Sequence, residues 1–295
     1  MSALVETTAP KAKLKKQSQF KEVLKRLSKN KSAMIGLCIF IAVIIVCVFA
    51  PVFAPYGPND MDPDAIYAGS SLAHPFGCDN LGRDILSRLI YGGRYSLALG
   101  FSCALIGMAT GLIFGSLAGY AGGAVDNVVM RICDVWMAIP GMLLCIILSA
   151  VLGNGVFQTI LAMSIGGVPG SIRGPRAMCL RERNMEYLEA AKAMNCSTGK
   201  IVFKHMMPNT LAPSIIGTTG QIGGSIMQAS GLSYIGLGIQ APNPEWGAMC
   251  SYGSKYFMTY PHMAIWPGVA ILITVLAVNM FGDGLRDALD PRLKD

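Results

Sequence analysis

Five stretches free of Asp, Glu, Lys and Arg constrain this chain more than any other feature: Ser32 to Asn59, Tyr95 to Val125, Val135 to Ile172, Met206 to Pro244 and Tyr256 to Gly282. A helix covers the hydrocarbon of a bilayer with about 20 apolar residues, so each stretch is long enough for at least one crossing. Of the 295 residues, 53% are hydrophobic and only 14% are charged, whereas about a quarter are charged in ordinary soluble domains. Together with a mean hydropathy of +0.49, this excludes a soluble globular fold. A closed barrel would show short segments of alternating polarity, and these runs are continuous. Because a lipid-exposed backbone must satisfy its own hydrogen bonds, every span is expected to be a helix and the chain an all-α membrane protein.

Val135 to Ile172 is long enough for the end of one span and most of another, with Gly153-Asn154-Gly155 as the turn. Six spans are therefore expected, at about 32–54, 95–119, 127–150, 156–174, 210–235 and 263–284, with an outer loop over 55–94 and a polar loop over 175–209. Charge sets the orientation. Between Lys11 and Lys31 the chain carries Lys13, Lys15, Lys16, Lys21, Lys25, Arg26 and Lys29 against Glu22 alone, so the positive-inside rule places the N-terminus in the cytoplasm. Six crossings return the C-terminus, with Arg286, Arg292 and Lys294, to the same side. Arg173, Arg176, Arg181, Arg183, Lys192, Lys200 and Lys204 place the polar loop there independently. Beside a span, the basic tail over 1–31 reads as a topology signal touching anionic lipid rather than a nucleic-acid arm. The first apolar run is too long for a cleavable signal peptide and ends at Pro51 and Pro55 without a small-residue cleavage site.

Nine cysteines invite a disulfide or metal reading. No CxxC pair occurs, and most cysteines lie within the spans or the polar loop, where they read as small packing residues. Only Cys78 and Cys250 fall in outer loops, where the two would be able to pair. In the first outer loop, Ile85, Leu86, Leu89 and Ile90 share one helical face and Arg83, Asp84, Ser87 and Arg88 another. This predicts an amphipathic surface helix capped by Asp79 or Asn80. His74 and Asp79 lack the third ligand that a metal site requires. Pro242, Pro244, Trp246, Tyr252, Tyr256, Phe257 and Tyr260 make the second outer loop aromatic, as an interfacial belt or as a contact for an external partner.

Inside the second span, Gly107, Gly111, Gly115 and Gly119 recur every fourth residue. Such a stripe presents one smooth face for close helix packing without naming the neighbour. Arg131 and Asp134 are spaced to pair along the third span. Asp134 and Asp283 would be the carboxylates of an intramembrane aspartyl protease, but both fall near cytoplasmic span ends beside arginines. No GxSxG or HExxH element is present. An enzymatic role is not expected.

The polar loop carries the most specific signal. Asn184 is placed to cap a helix with Glu186 and Glu189 in its first turns, where carboxylates suit the helix dipole. Leu188 and Ala191, with Tyr187 and Met194, share a face. Asn195 stops the helix in a left-handed conformation. Ser197 begins a second short helix in which Ile201 and His205, and Val202 and Met206, pair at i,i+4, and Pro208 ends it or bends it into the fifth span. Ala190 and Ala191 leave a low-profile surface for a partner's groove, with Glu189 and Lys192 orienting it. Thr198-Gly199-Lys200-Ile201 lacks the spacing of a phosphate-binding loop.

Glu189-Ala190-Ala191-Lys192-Ala193-Met194-Asn195, followed by His205-Met206-Met207-Pro208-Asn209, resembles the EAA loop of bacterial ABC importer permeases. The segments His74 to Gly100, Asp126 to Leu144, Ser233 to Gly247 and Phe281 to Lys294 are similar to the C-type permease of dipeptide, oligopeptide and nickel importers. The family's glycine after the alanines falls at Asn195, and its Leu before Pro at Met207. The resemblance implies a type I ABC importer permease in the bacterial inner membrane. It further implies a B-type permease partner, two ABC ATPase subunits that bind ATP and Mg, and an extracytoplasmic solute-binding protein; no cofactor is expected in this chain. Glu189, Ala190, Ala191, Lys192, Met194, Asn195, His205, Pro208 and Asn209 would couple the chain to an ATPase. The implied cargo is a dipeptide or oligopeptide, with nickel as the alternative. An ion-driven secondary transporter is the reading from another class, and it would need no such loop.

Overall fold

The computed structural model describes residues 19–289, and all regular elements among them are helices. A short helix, α1 (Gln19–Lys29), leads into α2 (Lys31–Val48), whose first turn is capped by the Asn30 side chain accepting from the Ala33 N–H at 3.2 Å. Helix α3 runs over Ile85–Ala121. α4 (Gly123–Met137) and α5 (Gly141–Leu152) follow, then α6 (Val156–Glu182), α7 (Glu186–Ala193) and α8 (Met207–Tyr234). Helix α9 (Trp246–Ser254) and the last described helix, α10 (His262–Leu289), complete the described chain. The basic residues at 11–16, 292 and 294 lie outside the described residues.

Three helices, α2, α3 and α10, are long and apolar enough to cross a membrane, and the pair α4 and α5 makes a fourth crossing if the bent pair is one span. The expected span over 127–150 falls on two helical pieces bent by 78°. Pro140 supplies the reason: it lacks an N–H and pushes Ile139 out of the helical region. Helices α6 and α8, with 27 and 28 residues, extend about 40 Å. They are long enough to span, but Gly, Ser, Thr and Gln in both, and Arg in α6, make them less apolar than α2, α3 and α10. Both continue through internal prolines, Pro169 and Pro175 in α6 and Pro213 in α8, as neighbouring helices permit in a bundle.

Helix α3 is the centre of the packing. Its face against α8 buries Leu97, Ala104, Ile222 and Ile226, continuous with Phe40 of α2 and Val278 of α10. Along its other face the glycine stripe meets α6. A methyl group added at Gly107, Gly111, Gly115 or Gly119 would stand 2.9, 2.3, 2.6 or 2.7 Å from atoms of Ser171, Ser171, Ile172 or Cys179. Residues four apart drift about 40° around a regular helix at each step, which would carry the stripe off the contact. A π-helical turn at Gly111–Gly115 widens the helix there and holds the four glycines against α6.

At one end of the bundle the loop before α3 is sewn to the start of that helix. The cap of α3 is Asp84, not Asp79 or Asn80: its Oδ2 accepts from the Ser87 N–H and Oγ, both at 2.7 Å, and its Oδ1 lies 3.0 Å from His74 Nδ1. Asp79 instead accepts from the Arg83 N–H and Nε at 3.0 and 2.7 Å. The expected surface helix is therefore the first turns of a long span. Both candidate metal ligands are taken by protein partners. Glu245, fully buried, accepts from Ser96 Oγ at 3.0 Å and from the Ala248 N–H at 2.8 Å. Aromatics of the first loop stack on later residues, Tyr67 on Tyr260 of the loop before α10 at 4.3 Å and Phe76 on Trp266 of α10 at 3.9 Å. Cys78 and Cys250 are free thiols. Burial raises both, with nearby carboxylates adding to it, to about 11 for Cys78 and about 12 for Cys250.

Candidate functional site

The opposite end of the bundle holds the polar loop. Helix α7 has eight residues, EYLEAAKA, too few to stand alone in water. Its stability comes from docking. Leu188 and Ala191 are buried with Cys179 of α6 and with Ile201 and Met206 of the following segment, and Tyr120 of α3 and Cys196 pack against the cluster. Helix α7 is thereby held by the ends of α3 and α6 and by the approach to α8. Lys192 adds a cation–π contact, its Nζ lying 5.7 Å from the Tyr120 ring centre.

Helix α7 begins one residue later than an Asn184 cap requires. Met185 is the N-cap residue and gives no side-chain hydrogen bond; Glu186 and Glu189 in the first turn supply the negative charge that the exposed N–H groups favour. The far end closes on Asn195, at φ 54°. The Asn195 N–H bonds to the Lys192 carbonyl at 2.9 Å and the Cys196 N–H to the Ala191 carbonyl at 3.1 Å, the paired bonds of a Schellman ending. Asn accepts the left-handed conformation more readily than other non-glycine residues.

The two alanines part company. Ala191 is buried against the bundle, whereas Ala190 faces outward with Glu186, Glu189, Ala193 and Met194, the last of them 78% exposed. The low-profile surface is therefore Ala190 with Ala193, rimmed by Glu189 and Met194. Helical periodicity already holds this answer, since Ala191 lies one turn from Leu188 and Ala190 does not.

The second short helix is a single turn at Thr198–Lys200 that passes through a π-helical segment, Ile201–Met206, directly into α8. Pro208 sits in the first turn of α8. His205 is half-buried beside it. Asn209 donates from Nδ2 to the Tyr187 hydroxyl at 3.0 Å, and that hydroxyl donates to Glu182 at 2.8 Å. Burial, then the Glu182 carboxylate, raises the Tyr187 pKa. Three elements, α6, α7 and α8, are joined by this chain of bonds. No spacing rule pointed to Tyr187, because its partners lie 5 and 22 residues away.

Two ion pairs clamp α4 to α6 at the same end. Arg176 makes a bidentate pair with Asp126, its Nη2 at 2.6 Å from Oδ2. Arg173 Nη2 donates to Asp134 Oδ1 at 2.7 Å. The expected partner of Asp134, Arg131 on its own helix, is displaced by a guanidinium from α6, which approaches across the helix pair. Asp134 is thus engaged by Arg173, and among the described residues it makes no hydrogen bond to Asp283.

Residues 111–295 match the family described as the binding-protein-dependent transport system inner membrane component. The chain belongs to that family. Residues 18–75 also match the N-terminal transmembrane domain of oligopeptide transport permease C. A dipeptide transport system permease protein of Alkalihalophilus pseudofirmus is 40% identical over 277 residues, covering 94% of this chain and 91% of that protein. A glutathione transport system permease protein of Escherichia coli O157:H7 is 42% identical over 274 residues, covering 92% and 90%. Among solved structures, the inward-facing methionine ABC transporter MetNI matches with a TM-score of 0.57 at 20% identity, covering 69% of this chain and 97% of that one. The fold is that of a type I ABC importer permease. This permease is an inner-membrane transport subunit and not an enzyme.

Proposed function

We propose that this permease forms half of the translocation pathway of an ATP-driven peptide importer, and that α7 with the segment to Asn209 is its seat for an ATPase subunit. The observation that carries the coupling assignment is the two-sidedness of α7. One face is buried against three other parts of the bundle, while Ala190, Ala193 and Met194 stand in the open. A rigid helix fixed to the ends of several spans transmits a push to all of them. Coupling requires ATPase closure to favour one arrangement of the spans over another, and such a helix supplies the lever.

In this reading the six crossings are α2, α3, the α4 and α5 pair, α6, α8 and α10. Residues 32–295 are the transmembrane domain, and the tail over 1–31 and the C-terminus lie in the cytoplasm. Support comes from charge, since Lys29, Lys31, Arg181, Arg183, Lys192, Lys200 and Arg286 gather at the end that carries α7. The partners are a homologous B-type permease, two ABC ATPases that hold ATP and Mg, and an extracytoplasmic solute-binding protein. Peptide is the cargo favoured by the dipeptide and glutathione relatives. The test is reconstitution with these partners in proteoliposomes. ATP-dependent uptake of a labelled dipeptide, abolished without the ATPases, is the expected result. Uptake driven by an ion gradient alone, or of Ni²⁺ but no peptide, would overturn the reading.

A further inference from the structure

Helices α6 and α8 are as long as the apolar spans yet much more polar, and their polar and glycine residues gather on one shared side. On α8, Gly217, Gly220 and Gly224 are open: a methyl group added at any of them would meet nothing within 4 Å. Gly167, Gly170 and Gly174 of α6 are equally open. These glycines differ from the α3 stripe, which is filled by α6. Between them run Gln221, at the midpoint of α8, and Gln228, one heptad further along, both exposed.

A carboxamide facing hydrocarbon is costly, and polar side chains within spans face a bundle interior or a water-filled cavity. Gln221 makes no hydrogen bond among the described residues, and Gln228 donates only to the weak acceptor Cys145 Sγ, at 3.4 Å. Two adjoining cavities, of about 190 and 30 Å³, share Gly107, Ser171 and Gln221. The smaller one is also lined by Ser164, which is 6% exposed and whose Oγ has no hydrogen-bond partner. No charged side chain lines either cavity. A neutral wall of amides and hydroxyls over exposed backbone suits a peptide bond, which needs one donor and one acceptor. It is a poor match for a divalent metal ion, which selects imidazole, thiolate or carboxylate ligands.

We propose that the α6–α8 groove is this chain's wall of the solute path, with the Gln221 and Gln228 carboxamides hydrogen-bonding the backbone of the passing peptide. The glycine floor leaves room for differing solute side chains, so recognition here is of the main chain. This rests on the peptide-importer reading.

The test uses the full importer in proteoliposomes, assembled with its partner permease, ATPases and binding protein. The double variant Gln221→Leu, Gln228→Leu is expected to lower dipeptide uptake at least tenfold, while subunits co-purify and loaded binding protein still stimulates ATP hydrolysis. Gly217→Trp, whose ring would occupy the cavity that Gly217 lines, is expected to block uptake with the complex intact. Wild-type uptake in both variants overturns the assignment. Loss of the partner permease from either complex overturns it too, by making this a packing face. A wild-type complex that hydrolyses ATP but moves no dipeptide defeats the peptide reading itself, a result separable from normal uptake in the variants.

Discussion

Leu188→Ala tests whether α7 is held by its docking or by its own helical preference. Leu188 is fully buried against Cys179, Ile201 and Met206. In the proposed reading this end of the chain stands in water, so burial there is driven by the aqueous hydrophobic effect. Truncation removes about three carbons at about 0.8 kcal/mol each, or about 2.4 kcal/mol; with an unfilled cavity the cost rises toward about 5 kcal/mol. At 1.4 kcal/mol per tenfold change, local opening of α7 becomes about 50-fold to about 4,000-fold more frequent. Helix propensity moves the other way, because Ala is the better helix former. Hydrogen exchange separates the two. The amides of Met194, Asn195 and Cys196, which bond to Ala190, Lys192 and Ala191, should exchange faster by that factor, while amides in the middle of α8 keep their protection. The ATP consumed per solute transported should rise in parallel, since a detached helix transmits less of the ATPase motion. Unchanged protection at these three amides would refute docking as the source of α7 stability, whatever happened to transport.

Other outcomes follow from the same geometry. Gly111→Ala forces a methyl group to within 2.3 Å of the Ser171 carbonyl, so α3 and α6 must separate and the melting temperature in detergent should fall by several degrees; Gly268→Ala in α10, with nothing within 4 Å, should leave it unchanged. Asn195→Gly relieves the left-handed residue at φ 54° and should match the native protein in stability, whereas Asn195→Val should cost about 1–2 kcal/mol, read from thermal unfolding of the loop by hydrogen exchange. Cys78, pushed up to about 11, and Cys250, to about 12, are protonated at pH 8. Each should alkylate about 100-fold or more slowly than an ordinary thiol and faster as pH rises toward those values, as mass mapping would show. Ala190→Trp should disrupt ATPase association while leaving the fold intact, because the residue faces out; normal association would place the docking surface elsewhere.

Much of the architecture was legible because a bilayer leaves the chain few choices. Long uncharged stretches must become helices, and the basic segments mark one side. The departures of the structure from local expectation share a cause. The third span looked continuous because hydropathy averages over Pro140, whose effect is local and geometric. The amphipathic face at Ile85 to Ile90 was real, but periodicity cannot distinguish a surface helix from the first turns of a span. Arg131 and Asp134 had the right spacing to pair, and Arg173 from a neighbouring helix was better placed.

The sequence by itself determined that this is an all-helical membrane chain, that its polar loop forms a short helix ending at Asn195, and that one span carries a smooth glycine face. Each of these rests on interactions within a few residues or on the solvent, both of which a local pattern records. Tertiary structure alone decided that the glycine face of α3 meets α6, that Tyr187 ties Glu182 to Asn209, and that the glycines of α6 and α8 remain open around Gln221. Those outcomes depend on how each helix is rotated against its neighbours. That rotation is set by packing among residues tens of positions apart, and no stretch of the chain contains it.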